Sequence, residues 1–241
     1  MSLKMRVISS RWIFGSLTPL IKKLPKRILP ISMIPVTHKE ILISKGFDLH
    51  NWMTPRLDGL EIKKGRRVLL SIGCLDQAIE HHVAICQLLK CRVNGSAFAL
   101  VRLIFESFVR GVWLKNCATE SQLKKFETDK LNLHFWELLE AIESLESFRS
   151  GMLGRLKEQA WTAMNSFTHT GFQQASRRFG KELIEPTYTD AEVIEVLKIS
   201  GSFALLSFQQ IAAEGNRLDL AQEACELLAG TMENFRDKTA I

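Results

Sequence analysis

Several motifs that would announce a common chemistry are absent from this chain. No Gly-x-x-x-x-Gly-Lys and no Gly-x-Gly-x-x-Gly segment occurs, so neither kind of glycine-rich phosphate cradle is available. No Gly-x-Ser-x-Gly elbow presents a serine nucleophile. No Cys-x-x-Cys pair exists among the five cysteines, Cys74, Cys86, Cys91, Cys117 and Cys225, which removes zinc-ribbon and thioredoxin chemistry. None of the six histidines has Asp or Glu three residues before it, so the Glu-x-x-His signature of di-iron bundles is missing. Asp76, Glu80, His81 and His82 remain as a mixed acidic and histidine group, but without metal-ligand spacing. The expectation is therefore no metal and no cofactor. Nor does any uncharged run reach the ~20 residues that span a bilayer. The best candidate, Phe98 to Val112, is interrupted by Arg102, Glu106 and Arg110.

What is present describes a chain with a core to bury. Its 241 residues are 46% hydrophobic and 24% charged, outside the composition of disordered chains. An odd number of cysteines scattered over helical stretches reads as reduced, buried thiols in a cytoplasmic protein. The net charge of +6 is unevenly distributed. Residues 1–36 hold seven basic groups and no acid, leaving 25 basic residues against 26 acidic ones in the rest. Basic character belongs to the tail, and a near-neutral body gives no global argument for nucleic-acid binding.

That tail also carries four of the six prolines, Pro19, Pro25, Pro30 and Pro35, which exclude a long helix. Three readings stand for it: a membrane-surface or nucleic-acid arm, a targeting peptide, or an over-extended start with the working domain beginning near Met33. The first alanine is Ala78, so an Ala-x-Ala cleavage site is lacking. The expected organisation is a loosely held appendage, 1–36, followed by a helical domain, 37–241.

From Thr37 onward the pattern is helical. A weaker segment, His38 to Leu60, is interrupted by Gly46 and Pro55. Arg66 to Cys91 places apolar residues at spacings of three or four. Asn94-Gly95 reads as a turn, with Ser96 capping an apolar helix to about Asn116. Thr119-Glu-Ser-Gln122 and Thr189-Asp-Ala-Glu192 are capping boxes that open further helices. Leu133 to Leu145, Met152 to Met164 and Leu218 to Phe235 complete the set, and Asn165 to Gly171 breaks regularity. No convincing strand is visible. The expected fold is all-α, an up-and-down bundle of four to five long helices with short extra ones.

Two elements carry candidate chemistry. Arg102, Glu106 and Arg110 follow i, i+4, i+8 on the apolar helix and line one side of it. Charges on a packed helix cost several kcal/mol each unless paired. Glu106 neutralises part of that cost, and the net +1 calls for a further anion or acceptor facing the row. The second element is Asn165-Ser-Phe-Thr-His169-Thr-Gly, dense in small polar residues. There His169 is either structural or a general acid or base, and Asn165 would orient the substrate or the imidazole. Arg177 and Arg178 are candidate phosphate contacts.

These same residues carry a resemblance. Arg102 to Arg110, then Met164-Asn-Ser-Phe-Thr-His169-Thr-Gly, then Pro186-Thr-Tyr188, resemble a group of uncharacterised bacterial helical proteins over roughly residues 37–235. Some relatives are loosely grouped with HEPN-type bundles, which include RNases of toxin and phage-defence systems. The resemblance implies a homodimer, RNA or nucleotide as partner, and a bacterial defence or stress setting. HEPN RNases carry Arg followed four to six residues later by His, and none of the fifteen arginines here stands so. Two functions follow as expectations. One is a non-catalytic accessory protein with an interior polar network. The other is a phosphoryl-directed enzyme in which Arg102, Arg110 and His169, with Glu106, form the catalytic set.

Overall fold

A computed structural model describes residues 2–5 and 37–236. The expected basic arm therefore lies outside the described residues apart from its first few. Among the described residues there are nine α-helices: α1 (His38–Leu57), α2 (Arg66–Lys90), α3 (Asn94–Asn116), α4 (Glu120–Phe126), α5 (Phe135–Glu143), α6 (Met152–Thr168), α7 (Phe172–Ser176), α8 (Asp190–Glu214) and α9 (Leu218–Arg236). The all-α class holds.

Three helix starts are built from local chemistry. Thr119 and Gln122 form a capping box at α4, and Thr189 and Glu192 form another at α8. A third opens α1, where Thr37 accepts from the Glu40 amide while its own N–H donates to the Glu40 carboxylate at 2.9 Å. Each box satisfies backbone donors that an α-helix leaves orphaned at its first turn.

Several expectations need correction. Gly46 and Pro55 do not interrupt α1, which runs unbroken through both. Pro55 sits in the last turn, where its missing N–H forgoes the bond to the Asn51 carbonyl and only Arg56 and Leu57 follow it in the helix. Gly46 is required for packing, since a Cβ there would stand 2.5 Å from Cys86 Sγ on α2. Asn94 and Gly95 are not a turn but the first residues of α3, whose N-cap is Val93. The chain reverses one step earlier, at Arg92 (φ 59°), with the Val93 amide donating to the Leu88 carbonyl at 2.8 Å. Helix α6 continues through Asn165, Ser166 and Thr168, and the break falls at His169.

A short ribbon is also present. Strand β1 (Ser2–Lys4) pairs antiparallel with β2 (Glu61–Lys63), Leu3 opposite Ile62. The Met5 amide donates to the Leu60 carbonyl and accepts from Gly59, both at 2.9 Å. Residues 2–5 of the expected appendage are thus stitched to the α1–α2 connection. Three-residue strands are too short for any alternation to register in the sequence.

Helix α3 lies at the centre, against α2 and α8, with α5 and α6 on its other side. Phe105, Phe108, Ile104, Val109 and Leu114 are completely buried. Phe203 of α8 meets Phe105 and Phe108, each at 5.3 Å between ring centroids. The α2–α3 crossing is close because Gly111 has no side chain. A Cβ there would lie 2.6 Å from Leu75 Cγ, and the Gly111 carbonyl accepts from Ser71 Oγ at 2.7 Å. The cysteines are all free thiols. Cys86 is buried as expected, but Cys91 is exposed.

Candidate functional site

Arg102, at one end of the charged row on α3, faces α6. Glu106 is buried, and its carboxylate accepts from Arg102 Nε at 2.6 Å and from Arg110 Nη1 at 2.6 Å. The two arginines occupy both oxygens, one guanidinium each, as i,i+4 spacing permits in both directions. Arg102 is the inner partner, its side chain 20% exposed against 41% for Arg110.

The facing stripe of α6 has the same spacing. Trp161, Asn165 and His169 are i, i+4, i+8, so they line one side of that helix. The Arg102 guanidinium carbon lies 4.8 Å from the Trp161 ring centroid, a cation–π contact. Trp161 stacks on Phe135 at 4.8 Å and 10°. At the other end of the stripe Arg102 Nη1 meets His169 Nε2. Arg102 therefore spans α3 to α6, and the helices are further tied by Thr168 Oγ1, which donates to the Ala99 carbonyl at 3.1 Å.

The contact with His169 fixes the chemistry of the ring. A guanidinium has five N–H donors and no acceptor, so Nε2 must offer its lone pair and the proton of the neutral ring sits on Nδ1. In this arrangement Nε2 has no proton to give. Its lone pair is also engaged, so it is not free to take one. His169 is the C-cap of α6, its N–H donating to the Asn165 carbonyl at 2.9 Å, and its side chain is exposed. Asn165 is half-buried, with Oδ1 enclosed and lacking a hydrogen-bond partner.

The other expected residues lie apart. Arg177 forms an ion pair with Glu192, the capping-box residue of α8. Arg178 is directed to the N-terminal end of α3, its Nη2 3.9 Å from where a Gly95 Cβ would stand. That is about two turns, ~10 Å, from Arg102 along the helix. Neither contributes to the row. Tyr188 closes this end, its ring 4.8 Å from Phe98. Burial pushes its phenol above the usual range, with the charges of Arg178 and Arg177 opposing the shift.

A second polar set was hidden in the sequence. His82 is fully enclosed between α1, α2 and α8. Its Nε2 is 3.2 Å from the Gly46 carbonyl and its Nδ1 3.0 Å from Ser200 Oγ. The carbonyl only accepts, so Nε2 carries the hydrogen and Nδ1 of the neutral ring accepts from Ser200, whose single hydroxyl hydrogen is shared with the Leu197 carbonyl at 3.2 Å. Burial pushes the imidazole down to about 4. Asp76, Glu80 and His81 do not join it, and among the described residues no three His, Cys, Asp or Glu side chains converge as a metal site would require. Burial, then the charge of Glu80, raises Asp76.

A cavity of about 230 Å³ lies between the start of α6 and α8, lined in part by Ser147, Phe148, Met152, Leu153, Leu206 and Gln209. None of the row's residues lines it. Among the described residues no helix is long and apolar enough to cross a membrane.

A family model described as a family of unknown function (DUF6988) matches residues 75–237, and the chain belongs to that family. No curated protein and no solved structure matches.

Proposed function

We propose that this member of a family of unknown function is a non-catalytic helical protein. Its Arg102–Glu106–Arg110 row and His169 serve as a polar network that fixes the register of α3 against α6. The wider setting proposed for it is cytoplasmic, as an accessory component of a bacterial defence or stress locus, with the helices forming an up-and-down bundle of four to five long members. The setting rests on the resemblance of the Arg–Phe–Glu helix and the Asn–His–Gly turn.

One observation carries the non-catalytic reading: Arg102 donates to His169 Nε2. A general acid needs a proton on the nitrogen that faces the substrate, and a general base needs a free lone pair there. The guanidinium occupies Nε2 for both roles. Glu106, for its part, has both oxygens engaged by arginines.

A second reading keeps Arg102, Arg110 and His169 as a HEPN-like RNase or nucleotide-directed site, with Asn165 positioning the substrate. The outward exposure of Arg110 and the enclosed Oδ1 of Asn165, without a hydrogen-bond partner among the described residues, favour it. The two are separated by incubating the full chain with RNA and with nucleoside triphosphates, beside His169→Ala. The non-catalytic reading expects no turnover by either. Turnover by the wild type that is abolished in His169→Ala, with its melting temperature unchanged, overturns it.

A further inference from the structure

The excursion between α7 and α8 exposes more large apolar side chains than its length warrants. Phe179, Leu183 and Ile184 fall within six residues and are between 64% and 88% exposed, and Phe172, the first residue of the preceding α7, is 77% exposed. Phe179 and Ile184 are opposite each other in an antiparallel bridge. The Glu185 amide donates to the Arg178 carbonyl at 3.1 Å and the Thr187 amide to the Arg177 carbonyl at 2.9 Å. The segment is thus an ordered hairpin that holds its apolar residues outward. Aromatic and large aliphatic side chains held so contribute binding surface at little cost in ordering.

We infer that this hairpin is a self-association surface, and that its occupant is the same hairpin of a second copy of this chain, paired about a two-fold axis. Charge decides the occupant. With Arg177 taken up by Glu192, the hairpin's remaining charges are Arg178 and Lys181 against Glu182 and Glu185, a balance of zero. Opposite signs are adjacent at the tip, where neither Lys181 nor Glu182 forms an ion pair among the described residues. A two-fold interface requires a patch complementary to itself, and Lys181 of one copy set against Glu182 of the other satisfies that twice. A balance of zero offers no net attraction to an anionic membrane or to a nucleic acid. The four apolar side chains expose on the order of 500 Å² per copy. With their polar rim this approaches the ~800 Å² per partner of a standard interface.

Sedimentation velocity of the full chain between about 1 and 100 µM tests this. The expected result is a reversible monomer–dimer equilibrium, weakened at least tenfold by Ile184→Asp with no change in melting temperature. Lys181→Glu and Glu182→Lys should each weaken the dimer, because each sets like charges together twice. The Lys181→Glu/Glu182→Lys double variant should restore it. A wild type that stays monomeric throughout overturns the inference, as does a dimer indifferent to Ile184→Asp or a double variant no better than the singles. Flotation of the wild type, but not Ile184→Asp, with phosphatidylserine vesicles in place of dimerisation would assign the hairpin to a membrane and overturn it equally.

Discussion

Replacing Glu106 by alanine probes the network at its centre. The buried carboxylate holds two guanidiniums at 2.6 Å each. Removing one partner of a buried pair costs about 3–5 kcal/mol, because the remaining charge stays desolvated. The two arginines do not share that cost equally. Arg110 has a 41% exposed side chain and recovers hydration, so its link counts as a surface pair of about 1 kcal/mol or less. Arg102, 20% exposed and confined between Trp161 and His169, bears most of the loss, about 2–3 kcal/mol. The total of about 3 kcal/mol corresponds to a drop of roughly 6–12 °C in melting temperature for a domain of this size. Thermal unfolding followed by circular dichroism reads it directly. Arg102→Ala should cost more than Arg110→Ala. The triple Arg102→Met/Glu106→Leu/Arg110→Met should recover most of the loss, since apolar replacement removes all the buried charge together. A Glu106→Ala melting temperature within 2 °C of the wild type would refute the reasoning.

Further outcomes follow from other contacts. His82 is held neutral down to about 4, below the ordinary histidine value of 6.5. Its folded value is the lower one, so the unfolded chain takes up a proton first as pH falls. Stability is complete above pH 6.5 and is lost between 6.5 and 4, by roughly 3 kcal/mol. Urea titrations at pH 7 and pH 4.5 should show this loss, and His82→Gln should flatten it; an equal slope in both proteins contradicts the assignment. Gly46→Ala should cost about 1–3 kcal/mol by driving a Cβ to 2.5 Å from Cys86 Sγ, and Cys86→Ala should restore much of it in the double variant. Trp161→Leu removes the aromatic face under Arg102 and should destabilise by about 1–2 kcal/mol, read by the shift of a denaturant midpoint. No shift would exclude the cation–π contact.

The helices were legible because two kinds of signal agreed. Apolar spacing gave the extent of α2, and capping boxes gave the starts of α4 and α8. Where only one signal was available the reading slipped. Gly46 and Pro55 are breakers by propensity, but burial of Met53 and Leu57 and the close approach of Cys86 override them in α1. Asn94-Gly95 has the composition of a turn, and only the position of Arg92 in left-handed conformation shows that the reversal precedes it. The row and its facing turn were legible as separate elements, and Arg102 joins them. Trp161 was missed although its signal was present, since 161, 165 and 169 repeat the spacing of 102, 106 and 110. His82 was misread for a different reason. It sits beside polar Asp76, Glu80 and His81 in sequence, but helical rotation turns it alone into the core. Arg177 and Arg178 illustrate the limit of proximity in sequence, because α7 and the hairpin carry them to α8 and to the start of α3 instead.

On the proposed function, Arg102 ties α3 to α6, and a double-mutant cycle across that contact measures the tie: Arg102→Ala on α3, Trp161→Leu on α6 and their combination are unfolded in urea. If Arg102 docks the two helices, the coupling energy is about 1 kcal/mol or more. A coupling energy below about 0.5 kcal/mol would contradict the account.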